Sequence, residues 1–550
     1  MKALDKKINQ LVYNSETKNV VKKDLITFYW TRKNSDLLFN LISVFTKQDD
    51  VLFDPFMGSA PILYSIDKHE QNLSFIGCEI NEMPISFIKF NLSNLSNDDL
   101  TNMKNKFMSF YDDHIHYYQY QTPISYKENT LSKIIIDRDE SGTKVNEFIF
   151  NGKDKPTLSK ENNKDFDVCN QEYLDRSNKL AKEIKNEDIE LITNSRIAVK
   201  KGMKLSQLFN PINYYVLQKY SEEFKNDKLM ITLLSSVLHL CRLTDLKSQS
   251  QFPYWVPKKN IIERNVLLLI LKKIESVVKN KEANTLKLNL VNQFNQLKEQ
   301  EKSILILNKP SQLISNKDIP NKSIDCVITD PPYFDQVAYS EYLKIWEHFC
   351  HLKSSLENEL IHSNRKVEPS PEELYLQNLT KCFSIVSNKL KDEGLIIIFF
   401  KDSKPNNIHL FLQSMEASNL TFVRSVHVSK KKFTYKQNTT KDTTVEGECL
   451  FFFEKNILNK KTFNQVNNLN KKELKEKINN VVKEFSINYI KDNGDASLGE
   501  LYDNGLLYSL YKNDLLRQIK SAQIIVDVLN NNLKLLTNRK YTINNEKIEK

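Results

Sequence analysis

The chain has 550 residues, of which 40% are apolar and 27% charged, and its formal net charge is +10. Such a chain can bury a large core in two to four domains, and this balance excludes an intrinsically disordered polymer. No apolar run nears the ~20 residues of a membrane span, and Met1-Lys2-Ala3-Leu4-Asp5-Lys6-Lys7 lacks a signal-peptide core, so a cytoplasmic protein away from membranes is expected.

Residues 1–24 read as a polar lead-in. Leu37, Leu38, Leu41, Ile42 and Phe45 recur at helical spacing and predict a helix over 34–45. Val51-Leu52-Phe53-Asp54 reads as a buried strand entering the tight turn Pro55-Phe56-Met57-Gly58-Ser59-Ala60. A helix is expected from Ser59 or Pro61, where Ser caps and Pro suits a first turn. Ser74-Phe75-Ile76-Gly77-Cys78 reads as a second strand, followed by Glu79-Ile80-Asn81. Strand, Gly turn, helix, strand, acid is how nucleotide-like ligands are held: Gly lets the backbone approach, and the acid takes ribose hydroxyls. That pattern makes Asp54, Pro55, Phe56, Gly58, Ser59, Glu79 and Asn81 candidate cofactor-binding residues.

Beyond a helix through Ile85, Ile88 and Leu92, residues 97–205 suggest a helix over 100–111, a hairpin over 133–150 and a polar stretch. Residues 206–300 read as helices, most clearly over 229–243 and 261–277. Strands are expected at 303–307, 324–329, 394–400, 421–428 and 448–454, with helices over 372–390 and 408–418. The interval between Asp54 and Asp330 far exceeds what short sheet connections need, so most of it must be inserted domain. The expected fold is α/β: a doubly wound, mostly parallel seven-stranded sheet with an antiparallel tail. Its divisions are 1–96 with the cofactor turn, a mostly helical insert at 97–300, a catalytic part at 301–455 and a helical segment at 456–550. On its residues alone the insert reads as a structural helical lid.

The strand over 324–329 ends in Asp330-Pro331-Pro332-Tyr333. Each Pro fixes its own φ and extends the residue before it, so this loop is stiff. It holds the Asp330 carboxylate and the Pro331 carbonyl as acceptors beside the flat ring of Tyr333. That arrangement suits a planar group carrying an exocyclic amine, at the sheet edge where such folds bind ligands.

Phe53 to Ala60 and Asp330 to Tyr333 resemble the S-adenosylmethionine and catalytic motifs of amino-methyltransferases. The closest resemblance is to adenine-specific DNA methylases, in particular the group that often carries a zinc ribbon. Phe28-Tyr29-Trp30-Thr31-Arg32-Lys33, Phe252-Pro253-Tyr254-Trp255-Val256-Pro257-Lys258 and Tyr339-Ser340-Glu341-Tyr342 with Trp346 are further stretches similar to that group. The resemblance implies S-adenosyl-L-methionine as cofactor and Asp330, Pro331, Pro332 and Tyr333 as catalytic; Arg32 and Lys33 are candidate partners of the cofactor carboxylate, with a surface ion pair as the plain alternative. A target-recognition role for the insert is what the family resemblance of the two flanking loops implies. Two departures stand out. Ala60 replaces the usual second Gly of the cofactor turn, and Ala lacks Gly's access to positive φ. The seven cysteines form no CxxC pair, so no metal is expected.

The implied reaction is methyl transfer to the N6 amine of a flipped-out adenine in DNA, because relatives acting on cytosine N4 more often carry Ser at the head of the loop. Lys430, Lys431, Lys432, Phe433, Tyr435 and Lys436 interleave basic and aromatic side chains, which suits phosphate contact with base stacking; a solvated hairpin tip is the plain alternative. Asn308 is a candidate contact for the cofactor adenine, and His348 and His351 are read as a polar helix face. A restriction or defence subunit is an expected partner. The alternatives are an RNA amino-methyltransferase and an idle DNA-recognition subunit of a defence complex.

Overall fold

The computed structural model describes residues 7–8, 26, 33–120, 129–139, 142–151, 157–160, 164–184, 188–194, 199–246, 257, 259–334, 339–363, 371–402, 404–428, 448–456 and 470–544. In chain order the first strands are β1 (Val51–Asp54), β2 (Ser74–Cys78), β3 (Leu131–Asp139), β4 (Gly142–Phe150), β5 (Thr157–Ser159), β6 (Thr244–Asp245) and β7 (Ile261–Arg264). They are followed by β8 (Asn289–Val291), β9 (Ser303–Leu307), β10 (Ile324–Thr329), β11 (Leu390–Phe399), β12 (Leu420–Val428) and β13 (Glu448–Lys455).

The main sheet has eight strands in the order β12-β13-β11-β10-β1-β2-β9-β8, where seven were expected. The extra one is the edge strand β8, parallel to β9. Two of its three residues are exposed, so it carries no alternation to read. β13 runs antiparallel to both β11 and β12, while the other pairings are parallel. β1 lies between β2 and β10, so the chain order reverses there, and ligands of open α/β sheets bind at that switch point.

Both faces of the sheet are buried. Val51 and Phe53 of β1 enter one core with Ile76, Val327, Ile396 and Phe451, whereas Leu52 enters the other with Phe75, Cys326, Ile397 and Phe452. This period of two follows from the pleat. The helix Ser35–Phe45 covers the second face, N-capped by the Asn34 side chain, which accepts from the Asp36 and Leu37 amides. The helices Glu372–Lys389 and Pro405–Ala417 cover the first face.

The insert is less helical than expected, because it holds a five-stranded sheet in the order β5-β4-β3-β7-β6. The expected hairpin is present as β3 and β4. The helix expected from Ile261 instead starts at Val266, because Ile261–Arg264 pairs antiparallel with β3. Ile261 and Ile262 are β-branched, and the Asn265 side chain caps the following helix by accepting from the Leu267 and Leu268 amides.

The helix Lys344–Cys350, which follows the Asp330 loop, is buried in the insert. Ile345, Trp346 and Phe349 share a core with Tyr214, Leu238 and Ile270. Trp346 Nε1 donates to the Ser235 carbonyl at 2.9 Å. His348 is half-buried and His351 exposed, in keeping with a polar face, and their Nε2 atoms lie 2.8 Å from the Tyr214 hydroxyl and 2.9 Å from the Ser221 hydroxyl.

The C-terminal segment also departs from a purely helical reading. Its helices, the longest being Lys471–Asn493, accompany a three-stranded sheet of Ala496–Ser497, Leu533–Leu535 and Lys540–Ile543. It docks on β12, where the His427 amide donates to Asn504 Oδ1 at 2.7 Å and the Ser425 hydroxyl to the Asp503 carbonyl at 2.6 Å. Among the described residues, no helix is long and apolar enough to cross a membrane.

Candidate functional site

The carboxyl ends of β1 and β10 lie side by side. The Thr329 hydroxyl donates to Asp54 Oδ1 at 2.6 Å, and the Phe56 amide donates to the same oxygen at 3.0 Å. The root of the cofactor turn is thereby tied to the root of the Asp330 loop. Burial pushes the Asp54 carboxyl up to about 7 against the opposing effect of these two bonds.

The turn has two left-handed residues, Gly58 at φ +52° and Ala60 at φ +47°. The conformation is free for Gly but costs Ala about 1–2 kcal/mol. Ala60 is held there by its amide, which donates to the Met57 carbonyl at 2.9 Å, and by complete burial of its methyl. The Met57 amide donates to the Cys78 carbonyl at 2.9 Å, and the Ser311 hydroxyl donates to the Pro55 carbonyl. A Cβ at Gly77 would fall 2.2 Å from Met57 Sδ, so β2 needs glycine there for the turn to pack. The helix begins at Ile62 with Pro61 before it, and Ser59 does not cap it. Ser59 Oγ is buried, has no hydrogen-bond partner among the described residues and lines the pocket.

Glu79 extends from the end of β2, and its amide donates to the Leu307 carbonyl at 3.1 Å. The Asn81 amide donates to Glu79 Oε1 at 2.8 Å, while burial pushes the carboxyl up to about 7. Asn308 does not reach into the pocket; its amide donates to the carbonyls of Glu79 and Ile80 at 2.9 and 3.3 Å, bracing this corner.

In the second loop the Tyr333 hydroxyl lies 2.6 Å from Asp330 Oδ1 and 3.2 Å from the Phe399 carbonyl, either of which can accept its hydrogen. The Tyr333 ring meets Phe400 edge-on at 5.0 Å, and the Tyr375 hydroxyl donates to the Pro332 carbonyl at 2.9 Å. Lys33 Nζ lies 3.1 Å from Asp330 Oδ2. Burial raises the Asp330 pKa; Lys33 and the Tyr333 hydroxyl oppose it, and Glu448 adds to it.

One pocket is lined by Asp54, Pro55, Phe56, Gly58, Ser59, Glu79, Asn81, Asp330, Pro331, Pro332 and Tyr333. It joins every candidate of the two loops, although they come from distant parts of the chain. Arg32, and Lys430, Lys431, Lys432, Phe433, Tyr435 and Lys436, lie outside the described residues. Sequence reasoning missed Thr329, Tyr375, Glu448 and the contact of Lys33 with Asp330. Thr329 borders the loop and had a local signal; the other three arrive from elsewhere in the chain and had none.

A family model for DNA methylases of the N6/N4 type matches residues 2–90 and 324–535, more than half of the chain. The chain belongs to this DNA methylase family. Both matched stretches contribute a pocket loop to this methyltransferase, and the interval between them holds the insert with β8 and β9. No curated protein matches the chain. Among the described residues, no cluster of His, Cys, Asp or Glu could hold a metal ion.

Proposed function

We propose that the protein transfers a methyl group from S-adenosyl-L-methionine to the N6 amine of a flipped-out adenine in DNA. The observation that carries this reading is the junction of the two loops: a Gly58–Ala60 turn with the buried acid Glu79 shares one pocket with Asp330-Pro331-Pro332-Tyr333. The residues fit the cofactor. Ser59 Oγ is a buried hydroxyl with no hydrogen-bond partner among the described residues, Gly58 leaves the turn open to close approach, and Glu79 accepts ribose hydroxyls. Asn81, Pro55 and Phe56 shape the wall of the same cleft, and Asp54 serves it indirectly by fixing the turn.

The cofactor supplies an electrophilic methyl group on its sulfonium, so the protein's task is binding and orientation. An aromatic amine is a weak nucleophile because its lone pair is delocalised into the ring. Asp330 and the Pro331 carbonyl accept its N–H bonds and draw the nitrogen toward tetrahedral geometry, which frees that pair. Tyr333 stacks on the base, and Pro332 stiffens the loop. Much of the rate arises from such positioned acceptors. Asp330 at the head of the loop supports adenine over cytosine. Extruding the base costs a few kcal/mol, which contacts to the duplex offset; Lys430–Lys436 and the insert are the proposed sources. A role in restriction-modification or phage defence follows if a nuclease partner exists.

The test is single-molecule sequencing of DNA from cells expressing the protein, beside an Asp330→Ala control. Methylated adenines in one defined motif, absent from the control, are the expected result. Unmodified DNA after incubation with folded protein and cofactor would sink the reading.

A further inference from the structure

Lys33 directly precedes Asn34, the cap of the helix Ser35–Phe45, so its backbone is anchored beside the pocket it lines. Its ammonium is 3.1 Å from Asp330 Oδ2 and 3.9 Å from Glu448 Oε2. It also lies 4.8 Å from the centre of the Phe399 ring and 5.9 Å from that of Tyr333. The Tyr333 hydroxyl stands at the other Asp330 oxygen. A nitrogen donor to Asp330, set against aromatic rings, is also the chemical description of the target amine.

We propose that Lys33 is a positioning residue that occupies the amine-binding side of Asp330 before a target arrives and moves toward Glu448 as the target amine replaces it. The proposal rests on the reading of Asp330 as the acceptor of that amine. Glu448 opens β13, so both destinations of the ammonium are fixed by strand ends, and the side chain needs only a small swing between them.

Lys33 also acts on the charge of Asp330. The groups that face this carboxyl are Lys33 from the N-terminal segment, Glu448 from β13, Tyr333 from its own loop and Asp54 from β1. Tyr339, from the helix beyond, lies close to Tyr333. Burial favours the neutral acid, and Lys33 is the largest influence opposing it. Without the ammonium, Asp330 keeps its proton to a higher pH and loses acceptor capacity there.

The experiment follows methyl transfer from labelled S-adenosylmethionine to unmodified DNA of known sequence, against pH, for wild type, Lys33→Gln and Lys33→Arg. The acidic limb of the kcat/KM profile, which reports the free enzyme, is expected to move up by about one pH unit or more in Lys33→Gln, a roughly tenfold loss at the pH of the wild-type limb. Activity should recover at higher pH, and Lys33→Arg should restore the limb while raising KM for DNA, because its larger head is harder to displace. An unchanged profile in Lys33→Gln overturns the proposal.

Thermal melting against pH supplies a readout independent of activity. The folded pKa of Asp330 is raised, so the stability tied to this carboxyl is present below its unfolded pKa and lost as pH rises through the folded one. Lys33 offsets that loss. Lys33→Gln should therefore fall progressively below wild type in Tm as pH rises beyond the ordinary carboxylate range, and the difference should vanish when Asp330→Asn is the background. A pH-independent difference overturns the coupling. A wild type that melts as expected yet methylates no DNA overturns the functional reading and, with it, the placeholder role.

Discussion

Asp54, Glu79 and Asp330 bring three carboxyl groups to one pocket wall, and burial raises the pKa of each. Perturbed acids in a cleft mark a candidate site, because burial and neighbouring charges that shift them also couple them to a ligand. Glu79 gives a pH-dependent test. Its folded pKa is about 7, above the unfolded range of about 4.3. Its stability contribution is thus complete below about pH 4.3 and lost as pH rises through 7, where the buried carboxylate needs further donors beyond the Asn81 amide. Ribose hydroxyls would supply them. Affinity for S-adenosylmethionine, measured by titration calorimetry, is expected to rise severalfold from pH 6 to pH 8, and Glu79→Gln should flatten that rise. A slope unchanged by Glu79→Gln would assign the effect to another group. Ala60 makes a related point at the same scale: a strained left-handed alanine persists because the packed turn leaves its methyl no other place.

At the scale of elements, the decisive contact is the helix Lys344–Cys350. In sequence it follows the Asp330 loop, and in packing it joins the core of residues 100–277. Trp346 is fully buried there with its indole N–H satisfied by Ser235. Trp346→Ala is expected to lower stability by about 3–5 kcal/mol in urea unfolding, because it opens a large cavity in the core and removes a buried hydrogen bond. The same variant should lower kcat for DNA while leaving the Kd for S-adenosylmethionine near wild type, since the cofactor turn lies on the other loop. A loss of cofactor affinity equal to the loss of kcat would argue that the two loops do not respond separately.

At the scale of the whole molecule, the C-terminal segment completes the sheet's core instead of hanging from it. Phe422 of β12 meets Tyr508 and Tyr511 at 5.4 and 6.1 Å, and His427 Nδ1 lies 2.7 Å from Asp503 Oδ2 with both side chains buried. Leu501, Leu507 and Leu510 join the core that holds Phe451 and Phe453. A chain ending at residue 455 would expose this face, and large apolar faces drive association. It is expected to elute as aggregates in size-exclusion chromatography and to bind a hydrophobic dye. A monodisperse, active truncation would show that the segment is an independent appendage.

Much of the pocket was legible in the sequence because its signals are local. The stiff Asp330-Pro331-Pro332-Tyr333 loop, the Gly58 turn and the acid Glu79 each follow a buried strand within a few residues, and strand periodicity locates such edges. What the sequence did not carry depends on partners far along the chain. Ile261–Arg264 became a strand because β3 offers it an edge, and β8 is too short to show a period. The hydroxyl partners of His348 and His351, Tyr214 and Ser221, come from a helix more than a hundred residues earlier. Lys33 meets Asp330 only because the fold brings the start of the helix Ser35–Phe45 beside a loop from the other half of the chain. The sequence by itself determined the chemistry available at the sheet edge; the tertiary structure alone decided which groups meet there, because long-range packing and burial, not local propensity, set those distances and charges.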